Sequence, residues 1–192
     1  MDRIVLASGS PRRKEMLEKY NIEPIIIKSN VEEIINQDEA AEQIAMSLAL
    51  TKALDVSARF NDDIVIGADT IVVIDEVILG KPNNEEDAFK MLSMLSGRMH
   101  EVITGIAIIK GNANKKIIDY ELTKVKFREL SNDLINRYIK TKEPHDKAGA
   151  YGIQGIGAIL VENIDGCYSN VVGLPLTKID ILLNKYFDYK IL

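Results

Sequence analysis

Two arginines close the run Ser8-Gly9-Ser10-Pro11-Arg12-Arg13. Ser10 suits a helix N-cap and Pro11 the first helical position, so Arg12 and Arg13 fall in the first turn. There they face the positive end of the helix dipole, a poor place for a cation unless an anion sits nearby. A phosphate would account for both, and Gly9 would let the backbone approach it. A capped helix with two solvated arginines is the other reading. The Gly-Lys-Ser/Thr ending of a Walker A loop is absent.

Lys52 lies on a helical stripe with Ala41, Ala45, Leu48 and Val56. Its stem can pack while the amine snorkels to water, or the amine can reach an anion in a cleft. Asp69, in Gly67-Ala68-Asp69-Thr70, follows an apolar run at what reads as a strand end, where α/β proteins place ligands. A carboxylate there can hold a metal, take a proton or form a turn. Lys81 sits in the turn Leu79-Gly80-Lys81-Pro82, phosphate-facing or merely solvated. The pair Glu32-Glu33 offers oxygens to Mg2+ or opens a helix. Four glycines within residues 149–157 argue for a shaped loop whose backbone comes close to something. Gln154, inside that loop, carries both a donor and an acceptor, the equipment for reading one edge of a planar base. An ordinary irregular crossover is the alternative.

Strands are predicted at 3–7, 25–27, 64–67, 71–74, 101–109, 117–127 and 157–164, and helices over about 11–20, 39–58, 84–96, 131–141 and 176–187. Gly97 stops the third helix, Ser131 caps the fourth and Asp165-Gly166 forms a turn. Strands alternating with helices give an α/β class with a central sheet flanked by helices, and the 101–127 hairpin makes that sheet mixed.

The chain has 192 residues, 46% hydrophobic and 28% charged, an ordinary globular composition. A single cysteine, Cys167, excludes an intramolecular disulfide and suits a reducing compartment, the cytoplasm. With only His100 and His145 beside it, a Cys/His zinc site is disfavoured. No apolar run has membrane-spanning length, and the N-terminal apolar stretch is too short for a signal peptide. A net charge of −5 argues against non-specific nucleic-acid binding but admits a small anionic substrate in a locally positive site.

In chain order the segments SGSPRR (8–13), SNVEE (29–33), Lys52-Ala53, GADT (67–70), LGKP (79–82), LSGR (95–98), DKAGAYGIQG (146–155) and NVVGLP (170–175) span nearly the whole sequence. The set resembles the Maf family, the septum-formation-inhibitor-like nucleoside triphosphate pyrophosphatases. The resemblance implies a single domain, 1–192, of Maf/ITPase-like fold with two lobes around a cleft. It implies hydrolysis of a nucleotide between the α- and β-phosphates, giving the monophosphate and pyrophosphate, with a divalent metal cation, Mg2+ or Mn2+. By position it assigns Ser8, Arg13, Glu33, Lys52, Asp69 and Lys81 to catalysis and phosphate handling. Asp69 takes the place of the proton acceptor, and Glu33 and Asp69 are the metal candidates. Arg12, Thr70 and Gln154 resemble the subgroup that prefers dTTP and UTP, with modified pyrimidine nucleotides as further candidates. A cytoplasmic homodimer is expected, with no nucleic-acid or membrane partner. Two other readings stand beside this one. An inosine/xanthosine-type pyrophosphatase shares the chemistry but prefers purines. A non-enzymatic regulator of septum formation leaves the cations at the helix start, in the stripe and in the turn unexplained.

Overall fold

The computed structural model describes residues 2–32 and 39–192. Short apolar runs form strands and longer periodic runs form helices, in the order β1 (Ile4–Leu6), α1 (Pro11–Glu18), β2 (Ile25–Ile26), α2 (Ala41–Ser57), β3 (Ile64–Ile74), β4 (Val77–Leu79), α3 (Glu85–Leu95), β5 (Met99–Lys110), β6 (Lys115–Phe127), α4 (Asn132–Lys140), β7 (Val161–Asp165), α5 (Tyr168–Val172) and α6 (Leu176–Phe187). Three 3-10 turns, Glu143–Asp146, Ala148–Ala150 and Ile156–Leu160, separate α4 from β7. The strands form one mixed sheet in the order β2-β1-β3-β5-β6-β7, with β4 paired to β3 off that path. β1 runs parallel to β2 and β3, whereas the β3–β4 and β6–β7 pairs are antiparallel. The expected α/β class, a mixed sheet with flanking helices, is what the chain adopts.

The chain divides into two compact units. The first comprises Met1–Asp69, Thr104–Glu121 and Gly173–Leu192. Its core sets Val5, Ala7, Val65, Ala107 and Ile109 against Ala49, Ala53 and Val56 of α2. Ala45, Ala49 and Ala53 recur every four residues and so share one helix face. That face meets glycines: a Cβ on Gly67 would lie 2.4 Å from the Ala49 carbonyl oxygen, and one on Gly105 would lie 2.1 Å from that of Ala45. The second unit comprises Thr70–Ile103 and Leu122–Val172. Its core gathers Leu92 and Leu95 of α3, Ile135, Tyr138 and Ile139 of α4, and Phe127, Tyr151 and Leu160.

Several elements differ from the sequence expectation. Residues 64–67 and 71–74 are one unbroken strand, because Asp69 and Thr70 keep extended backbone and are half-buried rather than turned out. Residues 157–160 coil as a 3-10 turn, and the strand starts only at Val161. Ser10 occupies the N-cap without a side-chain cap bond; instead Ser8 Oγ accepts the Ser10 N–H at 3.2 Å. The sequence reading did not include β4 and α5. The β3–β4 hairpin closes through Asp75 and Glu76, both left-handed (φ 48° and 66°), with none of the glycine that usually marks such a turn.

Candidate active site

β1 and β3 run in parallel only as far as the Leu6–Ile66 pair. β3 then continues without β1 until Val72 meets Leu79 of β4. Residues 67–70 therefore lie between the stretch of β3 that pairs with β1 and the stretch that pairs with β4. Asp69 projects from mid-strand, not from the strand end that its sequence context suggests. The position is still the C-terminal end of a parallel pair, the usual ligand side of an α/β sheet.

Lys52 reaches Asp69 from the edge of the buried α2 face. Its ammonium donates to Asp69 Oδ1, and the two side chains are only 15% and 14% exposed. The stripe lysine thus does not snorkel into water; it meets a carboxylate of its own chain. Helix packing sets this meeting, because the two residues are 17 positions apart.

Arg13 is held on three sides. Its Nε donates to the Gly173 carbonyl at 2.7 Å, and its Nη1 donates to the Ala68 carbonyl at 2.9 Å and to Ser8 Oγ at 3.0 Å. The guanidinium ties α1 to the peptide preceding Asp69 and to the segment before α6. Ser8 is buried, at 7% exposure, and its oxygen accepts from both Arg13 and Ser10. A hydroxyl that accepts twice still has its own proton to donate. Arg12, half-buried, follows Pro11 in the same helical turn.

In the second unit, Thr70 is the next residue of β3 and is half-buried. Lys81 is exposed in the loop after β4. The Gly80 carbonyl in that loop accepts the Gly149 N–H at 3.0 Å. Gly149 and Ala150 are both left-handed, at φ 65° and 59°. Gln154 is exposed in the turn before the 3-10 segment Ile156–Leu160.

The glycine-rich loop does come close to something, and the partner is the protein itself. A Cβ on Gly155 would lie 2.3 Å from Glu143 Oε2, one on Gly157 2.5 Å from the Tyr138 hydroxyl, and one on Gly152 2.5 Å from Lys147 Cε. Sequence reasoning missed Glu143 and Tyr138. The available signal was Glu143-Pro144, an acid fixed by proline just ahead of the glycine cluster. Burial pushes the Glu143 carboxyl up. The Gly157 and Ile156 amides, the Tyr138 hydroxyl and Lys147 outweigh that and hold it below the usual carboxylate range.

Glu33 lies outside the described residues. Among the described residues, no group of three or more His, Cys, Asp or Glu side chains is arranged to hold a metal ion.

A family model described as Maf-like protein matches residues 3–186. The chain belongs to that family. Among curated Maf-like relatives, a protein named dTTP/UTP pyrophosphatase from Clostridioides difficile is 54% identical, covering 96% of this chain and 95% of its own. Proteins of the same name from Alkaliphilus oremlandii and Pyrococcus furiosus are 50% and 53% identical, the first over the full length of both chains and the second over 92% and 91%. In this Maf-like chain the structure brings Ser8, Arg13, Lys52 and Asp69 together, with Arg12 in the same helix turn. Thr70, Lys81 and Gln154 belong to the second unit.

Proposed function

We propose that this Maf-like protein is a pyrophosphatase that hydrolyses dTTP and UTP to the monophosphate and pyrophosphate, clearing these and modified pyrimidine nucleotides from the pool. The observation that carries this reading is the sheltered Lys52–Asp69 pair beside the Ser8–Arg13 clamp. The names of relatives about half identical to this chain support the substrate. One family model running through both units supports reading 1–192 as a single catalytic domain. No helix among the described residues is long and apolar enough to cross a membrane. A cytoplasmic homodimer without nucleic-acid or membrane partners completes the proposal, and light scattering in solution tests the dimer.

In this reading water attacks the α-phosphorus, its proton passes to Asp69, and the α–β bridging oxygen leaves with pyrophosphate. Lys52 has three N–H donors, so it can orient Asp69 with one and meet a phosphate oxygen with another. Ser8 donates its hydroxyl proton to the phosphate chain, and Arg12 lies where the α1 dipole also favours anions. Arg13 fixes Ser8 and the peptide before Asp69, and adds its charge. Lys81 counters the leaving pyrophosphate. A metal with oxygen preference fits this donor set: Asp69 supplies one carboxylate and Glu33 is the second candidate. Mg2+ is commonly held by one or two carboxylates together with substrate phosphates. When bound, the cation neutralises charge on those phosphates.

Base choice is assigned to Gln154, Arg12 and Thr70. Uracil and thymine present an acceptor, a donor and an acceptor along O2, N3–H and O4. The Gln154 amide accepts from N3–H while donating to a neighbouring carbonyl, and Arg12 or Thr70 donates to the other. Cytosine lacks the N3–H and carries an amine at C4, so it leaves these groups mispaired, which a hydrogen-bonding site rejects strongly. The test is the initial rate of pyrophosphate release across the common ribo- and deoxyribonucleoside triphosphates, with and without EDTA. Expected are good rates for dTTP and UTP, poor rates for CTP and purines, and loss of activity with EDTA. A preference for GTP, ITP or CTP overturns the base assignment; no pyrophosphate from any substrate overturns the enzymatic reading.

A further inference from the structure

Gln154 is exposed, so side-chain packing does not fix it. What places it is the backbone on either side, and that backbone is anchored to one carboxylate. Glu143 Oε2 accepts the Ile156 N–H at 2.8 Å, and Oε1 accepts the Gly157 N–H at 3.0 Å. The Tyr138 hydroxyl donates to the same Oε1 at 2.9 Å and accepts the Gly152 N–H at 3.1 Å. Gly152 precedes Gln154 by two residues, and Ile156 and Gly157 follow it by two and three, so the turn is held at both ends. The glycines are the counterpart of this arrangement, since at Gly155 the carboxylate occupies the space a Cβ would need. The anchor is itself tied down: Lys147 Nζ donates to the Glu143 carbonyl at 2.8 Å, and Pro144 behind it is buried.

We propose that Glu143 is a positioning residue for base selection, setting Gln154 at the height and angle that reads the uracil or thymine edge. The proposal rests on the reading of Gln154 given above. The protein groups on the carboxylate are backbone amides and a phenol, so Glu143 acts through the loop and not on the nucleotide. A carboxylate suits the task because it only accepts, and here both oxygens face donors. An amide at the same place would turn an NH2 group toward a backbone N–H and release one end of the turn.

The test compares kcat/KM for UTP and CTP in wild type, Glu143→Gln, Gln154→Ala and the double variant. In Glu143→Gln the UTP-over-CTP ratio is expected to fall by about tenfold, the size of one hydrogen bond to a charged group. The loss is expected mainly in KM for UTP, with kcat nearly kept. Gln154→Ala is expected to lower the ratio as well, and the double variant to fall no further than Gln154→Ala, as for two residues acting through one contact. If both nucleotides decline in proportion in Glu143→Gln, the residue is only structural and the proposal is overturned. A further drop in the double variant also overturns it, because Glu143 then acts other than through Gln154. If Gln154→Ala leaves the ratio unchanged, the base-reading assignment fails and this proposal falls with it. Tyr138→Phe, which keeps the ring in the core but removes the hydroxyl, covers the case in which Glu143→Gln does not fold. It should lower the same ratio by a smaller factor, and an unchanged ratio overturns the proposal.

Discussion

Lys52 and Asp69 are partners in stability as well as candidates for chemistry, and substitutions separate the two roles. Leaving one charge of a sheltered pair without its partner costs about 1–3 kcal/mol. Lys52→Met should therefore lower stability by roughly that amount and sharply reduce turnover. Asp69→Asn keeps the shape and one acceptor for the lysine, but removes the base; turnover should fall by at least ~10²-fold with the fold intact. Combining the two changes restores stability toward wild type without restoring activity. Urea melts and pyrophosphate release on the three variants check this, and full activity in Lys52→Met would remove Lys52 from phosphate handling. Lys52 stood out in the sequence because a cation interrupts an apolar stripe. Asp69 stood out too, as a carboxylate after an apolar run, but its pairing with Lys52 did not, since a pairing across 17 positions depends on how α2 lies on β3. Arg13 was legible as a cation at a helix start, but not as a clamp, because its acceptors are mostly backbone carbonyls, which any residue type provides.

At the scale of elements, the contact of α2 with β3 and β5 is what brings that lysine to the strand, and glycine makes the contact close enough. Gly67→Ala and Gly105→Ala each force a methyl to within 2.4 Å and 2.1 Å of an α2 carbonyl oxygen. Each should destabilise by about 1–3 kcal/mol, the usual cost of overpacking. The two should differ in activity. Gly67 lies two residues from Asp69 and its Cβ would also meet Ala53, next to Lys52, at 2.9 Å. Gly67→Ala should therefore lose turnover at a temperature where Gly105→Ala, equally folded by circular dichroism, largely keeps it. Equal turnover in both would show that the α2–β3 spacing does not set the site. Long periodic runs such as α2, α6 and the β5–β6 hairpin were legible because pattern and length agree. The continuity of β3 was hidden by Asp69-Thr70, which look like a break yet keep extended backbone. The 3-10 turn at Ile156–Leu160 was read as a strand because its apolar composition fits both, and the deciding contact, Glu143, comes from elsewhere in the loop.

For the molecule as a whole, pH acts through a buried group that the proposed chemistry does not use. His100 is 2% exposed in the second core, edge-on to Phe127 and Tyr151, with ring centroids 5.0 and 5.5 Å away. Its Nε2 lies 2.9 Å from the Tyr151 hydroxyl, and its Nδ1 has no hydrogen-bond partner among the described residues. Burial without a counter-charge lowers its pKa from 6.5 to about 4. The folded chain then binds fewer protons than the unfolded chain between those values. Stability from this group is complete above pH 6.5 and is lost as pH falls toward 4. The shift corresponds to about 3 kcal/mol, a large part of the roughly 5–15 kcal/mol that stabilises a typical domain. Glu143, held below the usual carboxylate range, withdraws its own contribution as pH falls through 4.5 and below, so the upper part of the His100 window is free of it. Urea melts of wild type should show falling stability from pH 6.5 down to 4. His100→Gln keeps a polar group facing Tyr151 but does not titrate, so its profile should be flatter over that interval, at whatever absolute stability it starts from. Parallel profiles for the two proteins would mean that His100 does not carry the acid sensitivity of the fold.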